Sequence, residues 1–265
     1  MSCAAFDKVL ATMSDQLLVS HIFVLNPNEC TWNSDSILIL NQMNKNNYDL
    51  MPLRENGGFV GYVERKTLEQ TKEIKEAYRE ITVEKIVSAD TRIIDMISLF
   101  QTSRFFFVLQ GNSLVGLVTY SDLNKSPVRA LLFILISKFE FLLLQRIKSH
   151  YKDAVSWFNK LDSTRQTKIR NNFENKRKAD IDTVIEDCLN LGDMLCILES
   201  DDDFRSKMGY QSRKSCKKEL GGLDDLRNKT MHPSVCLIDC FEDVPKLKVR
   251  VVRLQKGISK IQESA

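Results

Sequence analysis

Histidine is scarce in this chain, with three residues in 265: His21, His150 and His232. No Cys-x-x-Cys pair occurs among the seven cysteines, Cys3, Cys30, Cys188, Cys196, Cys216, Cys236 and Cys240. An odd, scattered set argues against a disulfide framework and predicts reduced thiols and a cytoplasmic protein. His232, Cys236 and Cys240 stand at intervals of four, but zinc takes four ligands or three plus water, and no fourth lies nearby in sequence, so no metal site is expected. A long apolar run is also missing. The longest, Ala130 to Leu144, carries Lys138 and Glu140 in its middle and is too short and too charged to span a bilayer. The N-terminus has no basic flank followed by an apolar core, so no signal peptide is expected. Strong net charge is lacking as well: 38 Lys and Arg against 35 Asp and Glu leave +3, which does not by itself demand a nucleic-acid partner. What remains, 43% hydrophobic and 28% charged residues, is a globular composition with room for two compact domains or one large one.

The N-terminal half repeats itself at a spacing of 55 residues without a gap. Leu50-Met51-Pro52-Leu53 falls over Phe105-Phe106-Phe107-Val108, and Phe59-Val60-Gly61-Tyr62-Val63 over Leu114-Val115-Gly116-Leu117-Val118. Each unit reads strand, tight polar turn, strand. A helical pattern precedes the second hairpin at Ile93, Ile94, Ile97 and Phe100, with Ser88 or Asp90 as its start signal. Two such units can cover each other's apolar sheet faces, which neither could bury alone.

The segment Leu114-Val115-Gly116-Leu117-Val118-Thr119-Tyr120-Ser121-Asp122-Leu123 resembles the final strand and loop of a CBS domain. Gly61-Tyr62-Val63-Glu64-Arg65-Lys66-Thr67 resembles a degraded copy. The resemblance covers residues 14–124, with units at about 14–68 and 80–124, and implies an α+β CBS pair that binds adenine nucleotides between its halves. It assigns the Thr119 hydroxyl to phosphate and the Asp122 carboxylate to ribose, chemistry suited to a hydroxyl donor and a two-oxygen acceptor. In the first copy Glu64 replaces Thr119 and Thr67 replaces Asp122. An acid facing phosphate repels it, so at most one working site is expected. The same Thr-x-x-Asp pattern also serves as an ordinary helix cap.

After Asn124 the pattern turns helical. Ser126-Pro127 reads as a helix start, and a run to about Lys148 is apolar almost all round, as a central or shared helix would be. A basic stretch covers Arg165 to Lys178, and Arg205, Lys207, Arg213, Lys214, Lys217 and Lys218 come after it. Further helices are expected near Ile185–Leu198 and Ser212–Thr230, with an acidic break at Asp201-Asp202-Asp203 between them. A last helix is expected after Pro245. Glu140, on the apolar helix, is expected to pair with a lysine at the bundle surface.

A helical bundle that ends one helix with Leu226-Arg227-Asn228-Lys229-Thr230-Met231-His232-Pro233, before a last helix, resembles a HEPN domain over residues 126–265. The resemblance implies a metal-independent endoribonuclease acting as a homodimer. Arg227 and His232 would be its catalytic pair and Asn228 the polar companion. Physically, guanidinium can hold charge developing on phosphorus and imidazole can move a proton near neutral pH. Pro233 disfavours the α conformation at His232, so the helix is expected to end there. One histidine supplies an acid or a base, and a two-fold dimer would bring two into one cleft. DNA lacks the 2′-hydroxyl and is not an expected substrate. A histidine at a helix C-terminus is, equally, favourable through the helix dipole alone.

The two resemblances together imply a nucleotide-regulated ribonuclease suited to stress response or phage defence. It would have no catalytic cofactor and no membrane partner, AMP, ADP or ATP as regulatory ligand, and RNA as substrate. The alternative is a non-catalytic regulator whose bundle binds another protein.

Overall fold

A computed structural model describes residues 3–263. Residues 264 and 265 of the 126–265 segment and the Cys3 side chain lie outside what is described. The chain divides into two compact units. Met13–Val128 form one, and the described residues outside that span form the other.

In chain order the first half runs α1 (Cys3–Gln16), β1 (Val24–Leu25), α2 (Ser36–Asn46), β2 (Leu50–Glu55), β3 (Gly58–Glu64), α3 (Arg65–Thr71), α4 (Ile74–Ala77), β4 (Tyr78–Glu80), β5 (Ile86–Ser88), α5 (Ile93–Leu99), β6 (Phe105–Gln110) and β7 (Ser113–Thr119). Among the described residues these strands make two sheets, ordered β2-β3-β4 and β1-β7-β6-β5. The 55-residue repeat survives in detail. β2 and β6 begin and end at the same repeat positions, as do β3 and β7. Each hairpin breaks register at the same place, between Leu53 and Arg54 and between Val108 and Leu109. Gly57 and Gly111 turn the two hairpins with φ of 84° and 60°, the left-handed conformation that glycine adopts without penalty.

Two other glycines of the repeat are required by close approach. A Cβ on Gly61 would lie 2.5 Å from the Arg79 carbonyl oxygen and strike the Tyr78 ring. A Cβ on Gly116 would strike the Val24 carbonyl and the Phe23 ring. Each glycine thus lets a third strand close on its hairpin: β4 on β3, and β1 on β7. The apolar faces of the two hairpins meet through Phe59, Tyr62, Phe105, Phe107 and Leu117. The Phe59 and Phe107 rings are 5.9 Å apart and the Tyr62 and Phe105 rings 5.1 Å, distances at which tilted aromatic pairs attract. Helices α2, α3 and α4 cover the other side of the first sheet, where Ile39, Met43, Leu68, Ile74 and Ala77 pack on Met51, Leu53 and Val63.

Helix α5 begins at Ile93 with Arg92 as its cap residue, and not on a Ser88 or Asp90 cap. Ser88 ends β5, and its hydroxyl accepts the Asp90 N–H in the intervening turn.

The second half is helical: α6 (Ser126–His150), α7 (Ala154–Phe158), α8 (Ser163–Lys178), α9 (Leu191–Ser200), α10 (Asp202–Lys207), α11 (Arg213–Leu220), α12 (Leu223–Met231) and α13 (Val244–Glu263). Leu131, Leu132, Leu135, Phe139, Leu142, Leu143 and Ile147 of α6 are buried, while Ile134 is half-buried and Phe133 is 48% exposed. Helix α13 crosses α6 where Gly257 admits the Phe139 ring, and Arg146 donates to the Ile261 carbonyl at 2.9 Å.

Three helical expectations need correction. The single helix near Ser212–Thr230 is two, α11 and α12, broken at Gly221-Gly222, where Gly222 has φ of 85° and the Arg253 guanidinium caps the Gly221 carbonyl. The segment from Ile185 starts as a single 3₁₀ turn, and α9 begins only at Leu191, capped by Asn190. The acidic run starts a helix as well as ending one. Asp201 is the cap residue of α10 and accepts the Phe204 N–H at 2.9 Å, the Tyr151 hydroxyl at 3.0 Å and Lys160 at 3.1 Å. Burial opposes this carboxylate's charge, but those partners outweigh it and hold its pKa at about 2.

Candidate functional site

Two places carry the residues singled out above, one in each unit. The first lies where β7 runs out. Thr119 is the cap of a 3₁₀ turn, Tyr120–Asn124, and its N–H and hydroxyl both donate to Asp122 Oδ2, at 2.6 and 3.0 Å. The Thr119 and Ser121 hydroxyls are 2.7 Å apart, and Lys125 Nζ meets Asp122 Oδ1 at 2.8 Å while also donating to the Ile22 carbonyl. The fold therefore brings Thr119 and Asp122 together and adds two groups that the sequence reading did not single out, Ser121 and Lys125. Lys125 was detectable in principle, since a lysine three residues after an acid on a tight turn falls beside it.

Two hydroxyls and an ammonium group make a set of donors suited to a phosphate. Asp122 is differently placed. It is 6% exposed, and both its oxygens are engaged. A ribose diol could claim it only by drawing Lys125 off Oδ1. At the matching position of the first repeat, Glu64 sits 3.7 Å from Arg79 and accepts from Thr67 at 3.4 Å. An acid and its own counter-charge thus stand where the second repeat has hydroxyl donors.

The second place is the carbonyl end of α12. The helix stops at Met231, and His232 takes an extended conformation, φ −108° and ψ 97°, ahead of Pro233. Its N–H still closes on the Asn228 carbonyl at 3.2 Å, and its side chain is exposed. Arg227 sits one turn back, half-buried. Its Nη1 reaches Asn228 Oδ1 at 3.5 Å and its Nε lies 3.5 Å from Glu140 Oε1 on α6. The expected lysine partner for Glu140 is therefore replaced by Arg227, because α6 and α12 pack with those two side chains facing. Neither atom of that pair makes a hydrogen bond, so the contact is electrostatic and loosely fitted. Burial pushes the Glu140 carboxyl above the ordinary glutamate range, and Arg227 pulls it part of the way back. Among the described residues no hydrogen bond or ion pair joins Arg227 to His232 within one chain.

Arg129, which the sequence reading passed over, holds this corner in place. Its guanidinium donates to the carbonyls of Lys229 at 2.6 Å, His232 at 3.4 Å and Val235 at 2.6 Å. A cation at a helix C-terminus satisfies carbonyls that have no partner in the helix and favours the dipole. No local signal pointed to it, since a hundred residues separate it from the carbonyls it holds. Of the other histidines, His150 stacks against Tyr151 and Phe204, and His21 Nδ1 accepts the Leu18 N–H. Among the described residues no group of three or more His, Cys, Asp or Glu is placed to hold a metal ion, and Cys236 and Cys240 are exposed thiols. No helix among the described residues is long and apolar enough to cross a membrane.

No protein-family model matches the chain, and no curated protein matches it. Solved structures similar to its N-terminal part are CBS-domain proteins. A CBS-domain protein of Thermoplasma acidophilum is 18% identical, over 44% of this chain and 75% of its own, with a TM-score of 0.35. CBSX2, solved in complex with AMP, is 17% identical over 44% of this chain and 98% of its own, with a TM-score of 0.36. The CBS domain of a bacterial CNNM/CorC family Mg2+ transporter, solved in complex with ATP, is 13% identical over 46% and 94%, with a TM-score of 0.37.

Proposed function

We propose that the chain is a cytoplasmic, metal-independent endoribonuclease that works as a homodimer under the control of an adenine nucleotide. In this reading residues 14–124 are a CBS pair that senses the nucleotide and residues 126–265 a HEPN-type effector. The observation that carries it is the corner at the end of α12. His232 is solvent-exposed past the last helical turn, and the Arg227 side chain, five residues back, is 34% exposed with its Nε buried beside Glu140. Two-fold pairing of this corner supplies an acid and a base from two imidazoles, with two guanidinium groups for the charge on phosphorus. Asn228 steadies Arg227. On the sensor side, Lys125 and the Ser121 hydroxyl take the phosphate, the Thr119 hydroxyl joins them by turning its one proton away from Asp122 Oδ2, and Lys125's departure frees Asp122 Oδ1 for the ribose. The chain passes between the two functions through α6, a continuous helix of 25 residues, which serves as the lever.

A second reading has its own support. Arg227 lies 3.5 Å from Glu140, and among the described residues no hydrogen bond or ion pair ties it to His232. A guanidinium already paired with a carboxylate suits a non-catalytic bundle that binds a protein. One experiment separates the two: cleavage of RNA in excess chelator, with and without AMP or ATP. The expected result is cleavage that falls at least ~100-fold in His232→Ala, in line with the loss of a general acid or base. Equal rates for wild type and variant would leave the protein-binding reading. In parallel, adenine nucleotide should raise the melting temperature, with the shift lost in Lys125→Met and Asp122→Ala. No shift with AMP, ADP or ATP would make the N-terminal half a scaffold.

A further inference from the structure

Helix α8 is unlike its neighbours. It runs for 16 residues, and Ile169 is the only residue on it that is fully buried. Two of its cations face its own unit: Arg165 Nη1 donates to Asp193 at 2.6 Å, and Lys176 Nζ to the Asp187 carbonyl at 3.1 Å. The other four, Lys168, Arg170, Arg177 and Lys178, are exposed, and among the described residues no carboxylate pairs with any of them. On a helix with 3.6 residues per turn they spread over the whole outward half, with the exposed Asn171, Glu174 and Asn175 between them. The guanidinium carbons of Arg170 and Arg177 lie 4.8 and 5.8 Å from the ring centres of Phe158 and Phe173, within cation–π range. Such a contact limits a guanidinium's freedom without using up its N–H donors.

We infer that this outward face of α8 is where the RNA phosphate backbone lies, an inference that takes RNA as its ligand from the function proposed above. Protein interfaces need a desolvated apolar or aromatic centre with few charges. No large apolar side chain of α8 itself is exposed, and the exposed Ile181 and Val184 lie beyond its end, so an acidic protein would find charge across this face and apolar contact only past it. A phosphate chain asks for cations and amide donors and nothing apolar. Lys168 and Lys178, ten residues apart, stand about 15 Å apart along the axis, so they reach phosphates separated along the strand and not adjacent ones. The other basic segment, α11, has Arg213, Lys214 and Lys218 exposed and Lys217 3.7 Å from Glu199, but among the described residues no aromatic ring orders any of its cations.

The test uses the full chain carrying His232→Ala, so that RNA is bound without being cut. Anisotropy with a short unstructured single-stranded RNA is read across a salt series. Lys168→Gln/Arg177→Gln/Lys178→Gln should weaken binding at least ~tenfold and flatten the salt dependence by about 2 in slope, the loss of three phosphate contacts on a single strand. Glu174→Gln, which removes the single acid on this helix, should tighten binding about twofold, a change of sign that misfolding does not produce. Unchanged affinity in the triple variant would overturn the inference, as would weakening by Glu174→Gln. So would a poly-glutamate peptide that displaces RNA at equal charge, since the face would then dock acidic protein. The two proposals fail separately. RNA held through α8 but never cut by the wild type sinks the nuclease alone. RNA cut by an otherwise native triple variant at unaltered KM sinks the α8 surface alone.

Discussion

The two hairpins of the N-terminal half, β2-β3 and β6-β7, are alike in the pairing of their strands and unlike in the segments that leave them. They share strand lengths, the position of the register break and the glycine that admits a third strand. Beyond the last strand one continues Glu64-Arg65-Lys66-Thr67 and the other Thr119-Tyr120-Ser121-Asp122. The first end is filled by a carboxylate beside Arg79, and the second is a turn with hydroxyls, a lysine and a buried aspartate. Backbone geometry tolerates little change, because a misplaced Cβ meets a carbonyl. Side chains at a strand end answer to no such limit, so the chemistry there is free to diverge while the fold is kept.

Three sets of substitutions put that comparison under strain. The largest effect belongs to the contact between hairpins. Phe107→Ala should cost about 4 kcal/mol and Phe59→Ala about 3 kcal/mol in chemical denaturation, since Phe107 is fully buried and Phe59 is 8% exposed with Arg54 over its ring. A reversed order would mean that the first hairpin carries the shared core. Next come the glycines. Gly61→Ala and Gly116→Ala should each cost about 2 kcal/mol through forced displacement of β4 or β1. Matching losses would mark close approach as a common requirement, while a loss at one site only would show that the other strand can lift away. The smallest effect tests the divergence. Asp122→Ala removes a buried acceptor of the Thr119 N–H and should cost about 1–2 kcal/mol. Thr67→Ala, at the matching place, should stay within about 0.5 kcal/mol because it loses a single 3.4 Å contact with Glu64. Comparable losses at the two positions would show that the first end is as tightly built as the second.

The legibility of the chain tracks the range of its interactions. The hairpins could be read because alternation, turn glycines and a 55-residue offset are local and repeated. The end of α12 at His232 could be read because proline acts on the residue before it. The break at Gly221-Gly222 was visible as a glycine pair but hidden by the helical pattern on both sides. The partner of Glu140 was misjudged because lysines are near it in sequence, whereas Arg227 reaches it only through the packing of α12 on α6.

Periodicity and single-residue backbone rules thus sufficed for a strand-containing first half, a helical second half, the repeat, and the helix end that carries Arg227, Asn228 and His232. Packing alone decided that Arg129 holds that helix end, that Glu140 faces Arg227, that Lys125 closes on Asp122, and that the outward cations of α8 have no carboxylate partner among the described residues. Those facts depend on groups far apart along the chain, or on which face of a helix is covered. Side-chain charge and size state what a residue can do, but only the folded backbone sets the distance at which it does it.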